Sequence, residues 1–246
     1  MGLSIVKSRC SEMLGATKMT NINIVGDSHI GKLSSSADLE GQGIKYSFGV
    51  GKNFLAFDTE QTDEKIIISS AKVAGKYGLY AEIFPTDTLV LSAPLHSSPV
   101  SRHPTWKTFC HWTLTDQFPD MDLMSDDTIN MIAERRNATT FEFLELARSY
   151  CEAVYVLEPP RLAPQAAALA EIDPVILADI DQRYRDRVKL RLAEISIPVI
   201  ETPPETHDGT SMLPMYCRAN EADVHHGNDQ YLSLMLASVL EEVRGK

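Results

Sequence analysis

A short run at residues 22–29, with the sequence INIVGDSH, constrains the fold of this chain more than any other stretch. Its apolar and partly β-branched start predicts a buried strand over residues 22–25. The polar turn that follows leads into an apolar-periodic segment, which predicts a helix over about residues 29–38. Strands and helices continue to alternate along the chain, and this alternation predicts an α/β fold with a doubly wound parallel sheet.

Ser28 lies in the turn between the first strand and the first helix, within the run Gly26-Asp27-Ser28-His29. A strand that stops here directs the serine hydroxyl out of the carboxyl end of the sheet, and the helix points its positive N-terminus at the same place. Ligands of open α/β sheets bind in that crevice. The alternative is purely structural, since Asp27 or Ser28 could simply cap the helix.

A partner for Ser28 occurs near the other end of the chain, in residues 223–228 (DVHHGN). A serine nucleophile needs a base, and the base needs a group that orients it. Asp223 and His226 are three residues apart, so one loop can place the carboxylate against imidazole Nδ1 while Nε2 faces the serine. We assign His226 rather than the adjacent His225 because it has this spacing. The order Ser, Asp, His is compatible with a triad, because triads are recognised by role and not by position.

The two segments resemble the first and last sequence blocks of the SGNH (GDSL-like) hydrolases. The resemblance covers the chain from about residue 22 to residue 243 if the elements between follow the order of that fold. It implies a three-layer αβα, flavodoxin-like sheet with strand order 2-1-3-4-5. It also implies an enzyme that hydrolyses or transfers acyl groups, often acetyl groups on carbohydrates, without a cofactor. In these terms Ser28 is the nucleophile, His226 the general base and then acid, and Asp223 the orienting group.

The resemblance also implies an oxyanion hole. The backbone N–H of Ser28 is one implied donor, and the second block of the family supplies a glycine after the second strand. Gly49 and Gly51 are both candidates, and either could instead serve a tight turn. The third block should be Gly-x-Asn-Asp after a strand over residues 88–92, but the chain has Ala-Pro-Leu-His-Ser-Ser there. His96 is a candidate replacement for the asparagine donor, with a surface histidine as the alternative.

Several other elements follow from periodicity and from capping residues. The predicted strands lie at residues 44–48, 54–57, 65–69, 79–84, 88–92, 153–157 and 195–200, and those within residues 53–86 suggest a small β insertion beside the main sheet. The predicted helices begin near residues 125 and 139, span about 173–193 and 231–243, and include a short Ala-rich one at 164–169. A charged run in the helix at 173–193 (Arg183, Arg185, Asp186 and Arg187) is interpreted as a solvated face.

Composition limits the class of protein. The chain has 246 residues, of which 43% are hydrophobic and 23% charged, as expected for a globular protein. We expect a peripheral extension over residues 1–18 and a single α/β domain over 19–246. The net charge of −11 argues against a nucleic-acid partner.

Targeting signals and cysteines bear on the expected location. No apolar run reaches the length of a membrane helix, and no signal peptide is evident. The four cysteines are scattered along the chain, which indicates free thiols. The cytoplasm is therefore the expected location, and the oligomeric state is left open.

Other interpretations compete with a serine hydrolase, and the first of them uses the same residues around Ser28. Residues 26–32 (GDSHIGK) match the first seven positions of a P-loop, although the next residue is Leu33 instead of serine or threonine. A metal site is disfavoured because the histidines lack the spacing of a known metal motif. A catalytically idle binding protein with the SGNH fold is the third, and an O-acyltransferase with the same site residues is the closest alternative to a hydrolase.

Overall fold

The computed structural model of the protein describes residues 21–36, 43–48, 57–70 and 79–245. In chain order its strands and helices are β1 (Asn21–Gly26), α1 (Ser28–Ser36), β2 (Ile44–Phe48), β3 (Asp58–Gln61), β4 (Ile66–Ser69), β5 (Tyr80–Ile83), β6 (Asp87–Ser92), α2 (Ser98–Ser101), β7 (Phe109–His111), β8 (Asp122–Met124), α3 (Asp126–Tyr150), β9 (Ala153–Leu157), α4 (Ala166–Ala170), α5 (Pro174–Glu194), β10 (Val199–Ile200) and α6 (Asp229–Arg244).

The centre of the fold is a five-stranded parallel sheet in the order β2-β1-β6-β9-β10. Numbered within this sheet alone, the order is 2-1-3-4-5, so the predicted flavodoxin-like arrangement is confirmed. β1 and β6 are the central strands, and every residue of β6 is buried, which explains their apolar sequences.

Helices cover both faces of this sheet. The chain moves one way from β1 through α1 to β2, and the other way from β6 through α3 and α5 to β10. Because such crossovers are right-handed, the two directions place α1 on one face and α3 with α5 on the other. α6 packs against α1, and α3 packs against α5. No helix among the described residues is long and apolar enough to cross a bilayer.

The predicted β insertion is present as a three-stranded antiparallel sheet in the order β3-β4-β5. Its apolar face is buried through Ile66, Ile68 and Ile83. The side-chain amide of Asn23 in β1 donates a hydrogen bond to the carbonyl oxygen of Glu82 at 2.9 Å, which joins the insertion to the main sheet. Of the strand predicted at 54–57, only Phe57 lies within the described residues.

Two element predictions are wrong. α3 is one continuous helix of 25 residues, and the predicted second start near residue 139 does not exist. Nothing in its sequence breaks it, since residues 126–150 contain neither proline nor glycine. The last strand is two residues long instead of spanning 195–200. Ser196 has a left-handed backbone (φ 55°) and Pro198 lacks an N–H, so pairing with β9 begins only at Val199.

The solvated face predicted for α5 is also wrong at its centre. Arg185 is 1% exposed, and it bonds to two buried carboxylates, with Nε 2.9 Å from Asp181 Oδ2 and Nη1 3.2 Å from Glu158 Oε1. Its guanidinium also donates to the carbonyl oxygens of Pro159 and Pro160. The Arg185 side chain therefore fixes the segment that follows β9, at the carboxyl edge of the sheet.

Candidate active site

The turn between β1 and α1 is shaped by close packing. Gly26 pairs with Ser92 of β6, and a Cβ at Gly26 would lie 2.3 Å from Ile30 and 3.0 Å from the Ser92 Cβ. Only glycine fits, so the chain can turn sharply here and begin α1 at Ser28. Asp27 caps this helix, because its Oδ1 accepts the backbone N–H of His29 at 2.9 Å. The capping interpretation thus holds for Asp27 and leaves the Ser28 hydroxyl available.

Ser28, His226 and Asp223 form one continuous chain of hydrogen bonds. His226 Nε2 lies 2.8 Å from Ser28 Oγ, and His226 Nδ1 lies 2.6 Å from Asp223 Oδ1. The structure therefore brings together the three residues that the sequence singled out, although Ser28 and His226 are 198 positions apart.

The loop that carries Asp223 and His226 is held on both sides. Val224 is fully buried, and its carbonyl oxygen accepts the backbone N–H of Ala163 at 2.8 Å. Asn228 ends the loop and caps α6, with its side-chain oxygen accepting the Tyr231 N–H at 3.1 Å. The triad-like geometry is therefore supported by the main chain and not only by the three side chains.

The protonation states suit a base at His226. Burial, reinforced by the positive charge of His29, lowers the pKa of His226 to about 4 against the opposing effect of Asp223. Burial alone would raise the pKa of Asp223, but the hydrogen bond and charge of His226 outweigh it and lower that pKa. At neutral pH the Nδ1–H of His226 donates to the Asp223 carboxylate, and Nε2 offers its lone pair to the Ser28 hydroxyl.

The sequence matches no family model and no curated protein. The fold, however, matches solved structures. A GDSL-like lipase from Bacteroides thetaiotaomicron superposes with a TM-score of 0.50 at 10% identity, over 93% of this chain and 89% of that one. This chain has the fold of that GDSL-like lipase. A candidate acylhydrolase from Bacteroides fragilis gives a TM-score of 0.48 at 11% identity, over 91% of this chain and 86% of that one. At such identities the likeness concerns the fold, so the chemistry has to be argued from the residues.

A second Asp–His cluster lies beside the first in this GDSL-like fold, and sequence reasoning missed it. Asp27 Oδ1 lies 2.7 Å from His29 Nδ1, and Asp27 Oδ2 lies 2.8 Å from His96 Nδ1. His29 Nε2 lies 2.8 Å from the carbonyl oxygen of His225. The sequence predicted His96 only as an oxyanion donor. The signal for the other two residues was the polar pair that flanks Ser28, and the capping interpretation had already accounted for Asp27.

The predicted oxyanion donors are only partly described. Gly49 and Gly51 lie outside the described residues, so their role stays a prediction. His96 is within reach of the site through Asp27, which argues against an unattached surface histidine. A carboxylate can only accept, so the proton of His96 lies on Nδ1. Burial lowers the pKa of His96 despite Asp27, and the neutral ring then presents a lone pair at Nε2. His96 could therefore donate to an oxyanion from Nε2 only as an imidazolium.

Within the part of the chain that the structure describes, two groups of side chains have the donor atoms that a metal ion would need: Asp27 with His29 and His96, and Asp223 with His225 and His226. Their closest O···N pairs are 2.6–2.8 Å apart. Ligand atoms on one tetrahedral zinc at about 2.0 Å would be roughly 3.3 Å apart. As arranged, these contacts are hydrogen bonds that share a proton between carboxylate and imidazole.

The P-loop interpretation does not fit the local backbone. A P-loop needs a glycine-rich loop whose free N–H groups surround the phosphates before the helix begins. Here α1 already begins at Ser28, and the N–H groups of Ile30 and Gly31 bond to the carbonyl oxygen of Asp27. Gly31 has a packing role instead, because a Cβ there would lie 2.9 Å from the Phe48 ring of β2.

A cavity of about 480 Å³ lies between the loop that follows β6 and the first turns of α3. Its lining is largely apolar and includes Val100, Trp106 and Ile132, with Arg136 also among the lining residues. The positive charge of Arg136 also helps to lower the pKa of His96.

Proposed function

We propose that this protein is a serine ester hydrolase in which Ser28 is the nucleophile, His226 the general base and then acid, and Asp223 the orienting group. One observation carries the proposal: the unbroken hydrogen-bonded series Ser28 Oγ, His226 Nε2, His226 Nδ1 and Asp223 Oδ1. Side chains of these types in this order have the geometry of nucleophilic acyl transfer. The GDSL-like fold is compatible with this chemistry, but fold alone does not establish it.

The first half of the reaction forms an acyl-enzyme. Ser28 Oγ attacks the ester carbonyl carbon while its proton passes to His226 Nε2, and the carbonyl π electrons move onto oxygen. When the tetrahedral intermediate collapses, the bond to the leaving alcohol breaks and His226 returns the proton to that oxygen. Asp223 stabilises the imidazolium that exists between the two transfers.

The second half repeats these steps with water. His226 removes a proton from water, the hydroxide adds to the acyl carbon, and the bond to Ser28 breaks as Ser28 regains its proton. The developing oxyanion needs preorganised N–H donors. We assign this role to the backbone N–H of Ser28 at the start of α1 and to the predicted Gly49 or Gly51.

The acyl group and the alcohol are a finer proposal. The resemblance favours a small acyl group, such as acetyl, on a carbohydrate or similar ester. An O-acyltransferase would use the same residues, with a second alcohol in place of water. The apolar cavity that includes Val100, Trp106 and Ile132 is large enough for a longer acyl group, so a test should vary the length of the acyl chain.

The deciding experiment combines covalent labelling with turnover. We expect a fluorophosphonate probe to label the wild type. We also expect the wild type to hydrolyse at least one p-nitrophenyl ester in a series from acetate to octanoate. Ser28→Ala should abolish both. Ser34→Ala is the matched control, because this serine lies on the same helix and bonds to the carbonyl oxygen of Gly31. Labelling that survives in Ser28→Ala would overturn the proposal, and an unlabelled, inactive wild type would favour an idle binding protein.

A further inference from the structure

His29 makes two hydrogen bonds that a neutral imidazole cannot make together. Its Nδ1 lies 2.7 Å from Asp27 Oδ1, and its Nε2 lies 2.8 Å from the carbonyl oxygen of His225. A carboxylate and a carbonyl group are both acceptors, whereas neutral imidazole has one N–H only. Both bonds are therefore made only when His29 carries two ring protons and a positive charge.

The surroundings compensate this buried charge. His29 and Asp27 are each 6% exposed, so the imidazolium and the carboxylate form a buried ion pair. Asp27 also accepts the His29 backbone N–H and the Nδ1–H of His96, which satisfies its oxygens further. Burial alone would lower the pKa of His29, but the charge and hydrogen bond of Asp27 and the His225 carbonyl outweigh it and raise that pKa. This agrees with the protonation that the geometry requires.

The bond from His29 to His225 lies next to the bond from Ser28 to His226. Ser28 and His29 are consecutive in α1, and His225 and His226 are consecutive in the loop before α6. Two parallel links, each at 2.8 Å, therefore join the same two segments. The His29 link ends on a backbone carbonyl, so it fixes the position of the loop itself and thereby the direction in which His226 approaches Ser28.

The charge of His29 also acts directly on His226. The two ring centroids are 4.7 Å apart, so a proton added to His226 would be repelled by the imidazolium. Asp27 and His96 share the cluster with His29. The other charged or titratable groups around the two rings are Asp223, His225 and Arg185, together with Lys32, Glu158 and Tyr231.

We infer that His29 is a positioning residue: its imidazolium, paired with Asp27, ties the loop that carries His226 to the turn that carries Ser28, and its charge keeps His226 unprotonated in mild acid. The inference rests on the proposed hydrolase function for its kinetic consequences. Its structural part, the doubly protonated state of His29, stands independently of any activity.

The kinetic test compares two substitutions across the pH range. His29→Gln removes the charge but keeps a side-chain N–H that can reach a carbonyl, whereas His29→Leu removes both. For the wild type, kcat/KM should fall in acid near the His226 pKa of about 4. In both variants the midpoint should move up by about one pH unit or more, towards the ordinary value of histidine. The plateau near pH 8 should fall by about tenfold or more in His29→Leu and less in His29→Gln.

His207→Gln is the matched control, because His207 lies outside the cluster and bonds to the Gly209 N–H. The pH profile of this variant should match that of the wild type.

Nitrogen NMR of the wild type gives the second readout, with both ring nitrogens of His29 protonated at pH 7. That measurement needs neither a folded variant nor activity. Should the wild type fail to hydrolyse any ester, only the proposed function would fail, and NMR titration of His226 in wild type and His29→Gln would still decide the inference. A singly protonated His29, or an acid midpoint unchanged in both variants, would overturn it.

Discussion

His226 Nε2 lies 2.8 Å from Ser28 Oγ, although β6, β9 and β10 and the whole of α3 and α5 separate the two residues in the chain. The parallel sheet makes this contact possible. β1 is central and ends at Gly26, and the loop before α6 returns to the same carboxyl edge. The second link, from His226 to Asp223, is local to that loop and 2.6 Å long. The geometry thus joins one long-range and one short-range contact on a single imidazole.

Asp223→Asn should separate catalysis from folding. The amide has nearly the same shape as the carboxylate, but it stabilises the wrong tautomer of His226 and cannot balance the imidazolium. We expect kcat on p-nitrophenyl acetate to fall by about 10⁴-fold with the melting temperature little changed. His225→Ala is the comparison, since His225 Nδ1 is 3.9 Å from Asp223 Oδ1 and outside hydrogen-bond distance. A larger loss in His225→Ala than in Asp223→Asn would mean that His225, and not His226, works with Asp223.

Stability should fall as the pH drops from about 6.5 towards 4. Burial, together with neighbouring histidine charges, lowers the pKa of His225 to about 3 and that of His226 to about 4. In the unfolded chain both rings take up protons near pH 6.5, so between these values the unfolded state binds more protons and is favoured. The raised pKa of His29 acts in the opposite direction, because its contribution is complete below pH 6.5 and is lost only at higher pH.

Thermal unfolding of the wild type and His225→Asn from pH 4 to pH 8 measures this effect. The melting temperature of the wild type should rise from pH 4 to about pH 6.5, and its slope over that interval should be shallower in His225→Asn because one proton-binding difference is removed. An identical slope in the two proteins would show that His225 does not titrate differently in the folded and unfolded states.

Much of the fold could be predicted because its signals are local. The start of β1 is apolar and β-branched, and Asp173 and Asn228 cap the helices that follow them through side-chain bonds to Val175 and Tyr231. Ser28 and the Asp223–His226 pair could be matched from sequence because parallel strands bring their carboxyl ends to one edge. The length of β10 was misjudged because a left-handed backbone at Ser196 leaves no trace in the apolar pattern.

The missed features depend on contacts between distant residues. His29 is bonded to a main-chain oxygen 196 positions away, and no residue type at position 225 would reveal that bond. Arg185 likewise looks like a surface charge in α5 until Glu158 meets it from the end of β9. In both cases a buried charge is stabilised by a partner that only the three-dimensional fold supplies.

Arg185→Met should destabilise the protein strongly. Removing the guanidinium leaves Asp181 and Glu158, which are 2% and 3% exposed, without their main cation. Burial would raise the pKa of Glu158, but the charges of Arg185 and its neighbours outweigh this effect and keep that pKa low. Breaking one side of such a buried network costs about 3–5 kcal/mol.

Urea unfolding at pH 7 tests this prediction, with Arg183→Met as the control. Arg183 lies two residues away on the same helix and pairs with Asp179 and Asp126 at a partly exposed position. Its loss should cost no more than about 1 kcal/mol. Equal free energies of unfolding for the two variants would mean that the Arg185 network adds nothing to stability.

His96 supplies the last prediction, because its substitution should lower kcat much more if it is an oxyanion donor than if it is not. A lost oxyanion donor lowers kcat by about 10²–10³-fold with little change in KM. With its proton on Nδ1, held by Asp27 Oδ2 at 2.8 Å, neutral His96 offers a lone pair at Nε2 and cannot be that donor. We therefore expect His96→Ala to lower kcat by less than about tenfold at pH 8, with the oxyanion stabilised by backbone N–H groups. A loss of about 10²-fold at unchanged KM would instead assign the donor role to a protonated His96. In that case the wild-type kcat should decline as the pH rises through the pKa of His96, which burial places below its ordinary value.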